Sequence, residues 1–282
     1  MKQIYDIYKA VQFIEKNLKE NITIEAAAQE AGYSLFHFAR VFNQLTGHSP
    51  YDYIMRRRLS ESAIKLAERK QRVTDVAFEF QFNNIETYSR AFKKMFDILP
   101  NQIKDESILN KLTLKDPITE KYLEHIRKNN FFEPEIIYKE EMCFLGEVIF
   151  RNDSIFNSFT IDHLRHELLN FQYCYEPELY TISFNPEHWQ QETFRQLACI
   201  RVSSLEQTPA SFVGKKLLPM QYCKFTHISP LNDVGLSYNY IFQTWLPKSG
   251  YRLSQPFSLE KHECLGYKSN LDISIFVPII KK

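Results

Sequence analysis

Hydrophobic positions in the first hundred residues recur at helical spacing. Through Tyr5–Asn17, Ile4, Ile7 and Ile14 run beside a second series, Tyr5, Tyr8, Val11, Gln12 and Glu15, and the spacing predicts a mixed amphipathic helix. Asn21–Thr23 interrupts the pattern, and Ile24–Ala31 reads as a short second helix closed by Gly32, which supplies the left-handed stop of a tight turn. Ser34 is a suitable N-cap for a third helix running to about Leu45, with Gly47 and Pro50 ending it. Tyr51–Arg69 predicts a longer helix that carries Arg56, Arg57 and Arg58.

The pattern then repeats. Ala27, Phe38, Arg40, Phe42 and Pro50 match Ala77, Tyr88, Arg90, Phe92 and Pro100, each pair 50 residues apart. A short helix (Val73–Phe80), a turn and a capped helix (Asn84–Phe96) therefore duplicate the earlier unit, giving two helix-turn-helix units. Packing accounts for the apolar matches. It does not require arginine at both position 40 and position 90.

After Pro134 the texture changes from helical to extended. Glu135–Phe150 reads as strands around a Glu140-Glu141 turn, Phe159–Phe171 as an amphipathic helix, and Leu179–Phe184 and Phe194–Val202 as two more strands. The same order then recurs as a strand segment Lys216–Ile228, a helix Leu236–Leu246, and strands Phe257–Glu263 and Asp272–Ile280. The expected architecture is multidomain: an all-α double helix-turn-helix domain over 1–105, a linker with a short helix (Thr119–Arg127) over 106–133, and an α+β domain of two pseudo-symmetric strand-helix-strand-strand halves over 134–282.

Composition narrows the class. The chain has 282 residues, 44% of them hydrophobic and 24% charged, as expected of a soluble globular protein of two domains. No apolar run approaches the roughly 18 residues of a membrane span, and Met1–Lys19 is too charged for a signal peptide. Five cysteines without a CxxC argue against a disulfide framework and a zinc site; a reducing, cytoplasmic setting and no metal or cofactor are expected. The net charge of +1 conceals an asymmetry, since Tyr33–Lys94 holds 11 Lys/Arg against 6 Asp/Glu. That excess is compatible with a polyanionic partner without requiring one.

Ala31-Gly32-Tyr33-Ser34, Arg40-Val41-Phe42, Leu45 through Pro50 and, above all, Ser89-Arg90-Ala91-Phe92-Lys93-Lys94 followed by Pro100 resemble the AraC/XylS transcription regulators over about residues 4–104. Gln81, where a glycine is common, departs from the pattern and affects the second turn. The resemblance implies double-stranded promoter DNA and RNA polymerase as partners, with the second helix of each unit in the major groove. On the first such helix, Phe36, Ala39 and Arg40 are candidates for base contacts, Arg40 having the fork for guanine O6 and N7. Phe36 can touch a thymine methyl or serve as a packing aromatic. Ser34 and His37 are candidates for phosphate, His37 or else simply solvated.

In the second unit the resemblance implies base contacts from Ile85, Glu86, Ser89 and Arg90. Glu86 accepts only from donors such as cytosine N4, and Ile85 favours a methyl, so this half reads its site differently from relatives carrying amides there. Asn84, Thr87, Lys93, Lys94 and Arg57 are the phosphate candidates. The other two arginines of the run cannot share one contact, and an ion pair with Asp52 or Glu61 is expected among the three.

The second domain, ending in Ile275-Phe276-Val277-Pro278-Ile279, resembles the GyrI-like effector-binding domain over about residues 134–282. The resemblance implies a cleft for a small hydrophobic effector, cationic ones included, with aromatic walls and a buried glutamate four residues before the proline of the last strand. Here that position is Ser274. Asp272, two residues earlier on the same strand face, either substitutes for it or is a solvated strand-start aspartate. Trp189, Tyr222, Tyr238, Trp245 and Phe276 are the candidate walls. Two further readings stay open: a protein-interaction or dimerisation module that binds no ligand, and a small-molecule hydrolase. Against the last, the chain holds no GxSxG or HExxH pattern, and adjacent pairs such as Asp162-His163, Glu187-His188 and His262-Glu263 point apart.

Overall fold

The chain begins with α1 (Lys2–Lys16), whose buried face is Ile4, Ile7, Ala10, Val11 and Ile14. Five helices follow in close succession: α2 (Ile24–Glu30), α3 (Leu35–Thr46), α4 (Pro50–Ala67), α5 (Val73–Glu79) and α6 (Ile85–Phe96), then the short α7 (Glu106–Leu109) and α8 (Glu120–Asn129). The computed structural model describes residues 2–68, 71–129, 134–150, 174–189, 194–206, 208–230, 233–262 and 272–282. It divides into two compact units, Met1–Arg127 with Phe242–Thr244, and Lys128–Ile241 with Trp245–Lys282.

Local chemistry sets the helix ends. Thr23 accepts from the Ala26 amide at 3.1 Å, Ser49 from that of Asp52 at 3.2 Å with Pro50 opening α4, and Asn84 from that of Thr87 at 2.7 Å. Ser34 holds the extended N-cap position of α3, but its side chain makes no capping bond. Gly47 (φ 71°) and Asp97 (φ 61°) end α3 and α6 with the same left-handed residue 50 positions apart.

The repeat slips by one residue within each copy. The second helices, α3 and α6, stand 50 residues apart, but α2 and α5 stand only 49 apart. Ala28 thus corresponds to Ala77, and Ala27 to Val76, correcting the uniform 50-residue pairing. The turns agree with the shorter offset: Tyr33 N–H bonds to Ala28 C=O as Phe82 N–H bonds to Ala77 C=O, both at 3.0 Å. The second turn therefore holds one extra residue before its recognition helix. At its left-handed position stands Gln81 (φ 65°) where the first copy has Gly32 (φ 70°). A side chain there costs about 1 kcal/mol of backbone strain, against which Gln81 Nε2 donates to the Lys19 carbonyl at 2.6 Å.

Aromatic rings fill both copies. Phe38, Phe42 and Tyr53 pack in series with tilted rings in the first; Phe82, Tyr88, Phe92 and Phe96 pack edge-on in series in the second. The stretch 106–127, expected to be part of a linker, instead packs on this unit. Ile118 N–H donates to Tyr53 Oη, Lys115 N–H to Ser60 Oγ, and Arg57 to the Lys115 carbonyl at 2.6 Å.

The second unit is built on one antiparallel sheet of β1 (Glu135–Lys139), β2 (Met142–Phe150), β3 (Cys174–Phe184), β4 (Arg195–Val202), β5 (Val213–Leu217), β6 (Met220–Ile228), β7 (Tyr251–Leu253), β8 (Phe257–His262) and β9 (Asp272–Lys281). The order is β1-β6-β9-β8-β3-β4-β2-β5, with β7 paired to β9. Leu218 and Pro219 divide the expected single strand Lys216–Ile228 into β5 and β6. The expected helix Phe159–Phe171 lies outside the described residues. The later helix starts two residues early and has three pieces: α9 (Val234–Tyr240), a π-helical turn (Ile241–Trp245) and α10 (Leu246–Lys248).

Both faces of the sheet are buried. Phe144, Tyr180, Ile182, Leu197, Cys199, Leu217, Tyr222, Phe257, Leu259 and Phe276 share one face, called here the aromatic face. Leu145, Ile149, Leu179, Ala198, Ile200 and Val202 belong to the other. That second face also carries Ser183, Ser258 and Glu260, which meet Tyr238 of α9.

Candidate functional site

Two sets of side chains stand apart from the cores, one in each unit. In the helical unit, inward packing of Phe38, Val41 and Phe42 turns the opposite side of α3 to solvent. Phe36 is 88% exposed, a bare phenyl with no core role, which removes the packing alternative. His37 and Arg40 are exposed and Ala39 half-buried. The His37 ring stacks on Tyr33, centroids 4.7 Å apart, so its orientation is set by the turn.

On α6 the inward residues are Tyr88, Phe92 and Phe96, and Glu86, Thr87, Arg90, Lys93 and Lys94 are exposed. Ile85 and Ser89 are half-buried and line a groove with Val73, Thr74, Leu99 and Pro100. Asn84 and Ser34 occupy the two N-cap positions, Asn84 with its side chain committed to the cap. Arg40 and Arg90 thus occupy equivalent solvent-facing positions on α3 and α6, which correspond at a 50-residue offset.

Arg57 is corrected. Its side chain is only 4% exposed, and Nη2 lies 2.9 Å from Glu15 and 2.7 Å from Glu61. Burial by itself would lower its pKa, but the Glu15 carboxylate outweighs burial and raises it. A guanidinium held this way does not reach phosphate. The neighbours are spent too: Arg56 pairs with Asp52 at 2.9 Å, and buried Arg58 donates to the Leu18 and Glu20 carbonyls beyond the end of α1. Arg57 and Arg58 thus brace α4 against α1 and the turn after it, while Arg56 pairs within α4.

In the sheet unit the five candidate aromatics separate. Tyr222 and Phe276 lie together on the aromatic face, ring centroids 6.4 Å apart. Tyr238, Trp189 and Trp245 do not join them. Tyr238 is sealed on the opposite face. Trp189 donates to Asn239 at 2.9 Å and covers Gly235, where an added Cβ would come within 2.2 Å of its ring. Trp245 packs edge-on against Phe225 and stacks on Tyr251. Ser274 is half-buried on the aromatic face and Asp272 is exposed at the start of β9.

The aromatic face carries features the sequence did not suggest. Lys139 Nζ sits 4.2 Å from the centroid of Phe276. Lys261 is the registered partner of Ser274 and pairs with Glu178 at 2.7 Å. The Lys139 pKa is lowered by burial first, then by the charges of Lys261, Arg201 and Lys224, with Glu178 opposing. β1 and β4 have four strands between them in the sheet order. Register nevertheless puts Lys139, Lys224, Lys261 and Arg201 on this one face. Gly146 of β2 allows close strand contact, since a Cβ there would lie 2.0 Å from the Ala198 carbonyl oxygen. On this face the Tyr222 hydroxyl is buried without a hydrogen-bond partner among the described residues, and burial raises its pKa.

A buried carboxylate exists, but at Glu260, on the opposite face. It accepts from the Tyr238 hydroxyl and lies 3.5 Å from His262 Nε2, and burial pushes its pKa up to about 7. Among the described residues no group of His, Cys, Asp and Glu could hold a metal ion, and no helix is long and apolar enough to cross a membrane.

A doubled helix-turn-helix unit joined to an antiparallel ligand-domain sheet defines a class of regulator, and the comparisons agree. Residues 27–106 match the helix-turn-helix domain family, and residues 135–279 match the integron-associated effector binding protein family. The chain belongs to the AraC family of transcription regulators and carries an effector-binding domain after the DNA-binding one. It is 33% identical over 106 residues to the transcriptional regulator Rob of Salmonella typhimurium, covering 38% of this chain and 37% of Rob. It is 34% identical over 98 residues to the multiple antibiotic resistance protein MarA of Escherichia coli, covering 35% of this chain and 77% of MarA. The match to Rob therefore spans little more than a third of that protein. The cryo-EM structure of an EcmrR–DNA complex aligns over 96% of this chain and 99% of its own at 12% identity, with a TM-score of 0.45.

Proposed function

We propose that the protein is a cytoplasmic, non-enzymatic regulator that binds promoter DNA through α3 and α6 and answers to a small apolar effector held in the second unit. The observation that carries the reading is the pair Arg40 and Arg90, exposed at equivalent positions of two packed helices. Arginine at such a position reaches guanine bidentately, and the surrounding Phe36, Glu86, Thr87, Lys93 and Lys94 supply apolar, acceptor and phosphate contacts. Two recognition helices fixed by α4 address successive major-groove segments about 34 Å apart, so one chain covers an asymmetric site. RNA polymerase is the downstream partner on this reading.

Effector binding is supported by the family match of residues 135–279 and by a Tyr222 hydroxyl buried on the aromatic face without a hydrogen-bond partner among the described residues. The reading of this unit as two pseudo-symmetric halves is supported by the strand order. It is the same from both ends once β1 is exchanged with β5, β2 with β6, β3 with β8 and β4 with β9.

Selection of full-length protein against a random duplex pool tests the proposal. A two-part consensus, each part about one helical turn from the other, is expected. A pool without enrichment after repeated rounds, while the protein remains folded, would refute it.

A further inference from the structure

The sheet of the second unit has two ends, and they differ in what they offer a second chain. Among the described residues β1 lies at one end and pairs only with β6, and β5 lies at the other and pairs only with β2. Each leaves a row of backbone N–H and C=O groups along its outer side. β1 runs in unbroken register from Glu135 opposite Lys224 to Lys139 opposite Met220, without a bulge, a proline or a glycine. Ile136 and Tyr138, 47% and 59% exposed, stand on one of its faces, and Glu135, Ile137 and Lys139 on the other.

The five residues Glu135–Lys139 are complementary to themselves. A twofold axis through Ile137 sets two copies of β1 antiparallel. Glu135 of each copy then stands opposite Lys139 of the other, Ile136 opposite Tyr138, and Ile137 opposite Ile137. One register thus matches both charges and covers both exposed apolar side chains. The charges are available for it. Glu135 is exposed and stands 3.5 Å from Lys224, and Lys139 has the Phe276 ring at 4.2 Å and no ion pair among the described residues. The same operation on β5 turns about Lys215, setting that lysine against its own copy and Gly214 opposite Lys216. Like charges directly opposite repel, so β5 is guarded where β1 is not.

We propose that β1 is a self-association edge, through which two copies of this chain join their sheets into one antiparallel sheet across a twofold axis. Five residues a side is well short of the roughly 20–30 of a standard interface, so the dimer forms reversibly as concentration rises. Its formation needs neither effector nor DNA and is independent of the function proposed above.

Full-length protein followed by sedimentation velocity, from low micromolar to several hundred micromolar, tests this, with a melting curve for every variant. A monomer–dimer equilibrium is expected. Glu135→Lys and Lys139→Glu should each weaken it tenfold or more, and the two exchanges combined should return it to within threefold of wild type. Tyr138→Lys should weaken it as well, whereas Lys215→Glu, on the other edge, should leave it unchanged. Cysteine reads the register, because Cα atoms of opposite residues lie about 4.5–5.5 Å apart, within disulfide reach. Under mild oxidation Ile137→Cys should give more disulfide-linked dimer than wild type, and Tyr138→Cys should not. Four outcomes would each overturn the proposal: a monomer throughout the range, a dimer indifferent to the single reversals, a dimer not restored by the double exchange, or linking through Tyr138→Cys rather than Ile137→Cys.

Discussion

In the helical unit the buried Arg57 meets two carboxylates and a carbonyl, whereas in the sheet unit the buried Glu260 meets one hydroxyl and a histidine. The first charge is compensated by full opposite charges, and its protonation is locked. The second is stabilised only by neutral donors, so burial drags its pKa to about 7. The difference separates a brace from a group that exchanges its proton in the ordinary pH range. Lys139 extends the second case to a cation whose neighbours carry its own sign.

The largest expected effect comes from breaking the brace. Arg57→Ala leaves Glu15 and Tyr53 facing an empty site and should cost about 3 kcal/mol of stability, read in urea melts. The salt dependence of DNA binding by the folded variant should stay as in wild type. A slope shallower by about one unit would instead make Arg57 a phosphate contact.

Next comes the pH dependence of Glu260. Its carboxyl would titrate near 4.5 in the unfolded chain and is held to about 7 in the fold. Between those values the unfolded chain releases a proton that the folded one keeps. This group's contribution is therefore intact below pH 4.5, declines by about 3 kcal/mol as the pH rises to 7, and is constant above that. His262 slopes the other way. Burial and the nearby His227 lower its pKa from 6.5 to about 4, so its contribution is intact above 6.5 and is lost as the pH falls toward 4. Glu260→Gln should remove the decline and uncover the histidine slope, gaining on wild type at pH 8 but not at pH 4.5. Parallel stability profiles for the two proteins would show that Glu260 does not titrate in the fold.

The charges left in water should matter to the partner and not to the fold. Arg40→Ala and Arg90→Ala should each cost about 1–3 kcal/mol on a selected site and relax preference at one base pair, with melting unchanged. Equal losses on random duplex would reduce either residue to a phosphate contact.

The smallest effects belong to the two turns. An added Cβ at Gly32 meets nothing within 4 Å, so Gly32→Ala reports the left-handed backbone alone and should cost about 1 kcal/mol. Gln81→Gly should gain about 0.5 kcal/mol, the relief of strain being partly offset by the lost bond to the Lys19 carbonyl. Thermal melts that rank the two changes in the reverse order would refute this account of the turns.

What the sequence revealed was local. The cap at Asn84, the stop at Gly47 and the inward rings of α3 and α6 each rest on spacings within a few residues. The one-residue slip was hidden because alanines at both 27 and 28 accept either alignment with Ala77. Arg57 was misread because its partner Glu15 lies 42 residues away and only the packing of α4 against α1 joins them. Glu260 was missed because period-2 alternation implies a wet face, and this sheet has none over β8.

The slip between copies also limits how the protein can be rebuilt. Because α2 and α5 correspond at 49 residues and α3 and α6 at 50, no single cut point exchanges whole units with every position in step. A chimera must be joined inside the turn, choosing either the shorter turn with its glycine or the longer one with Gln81. The two units have thus lost interchangeability as parts.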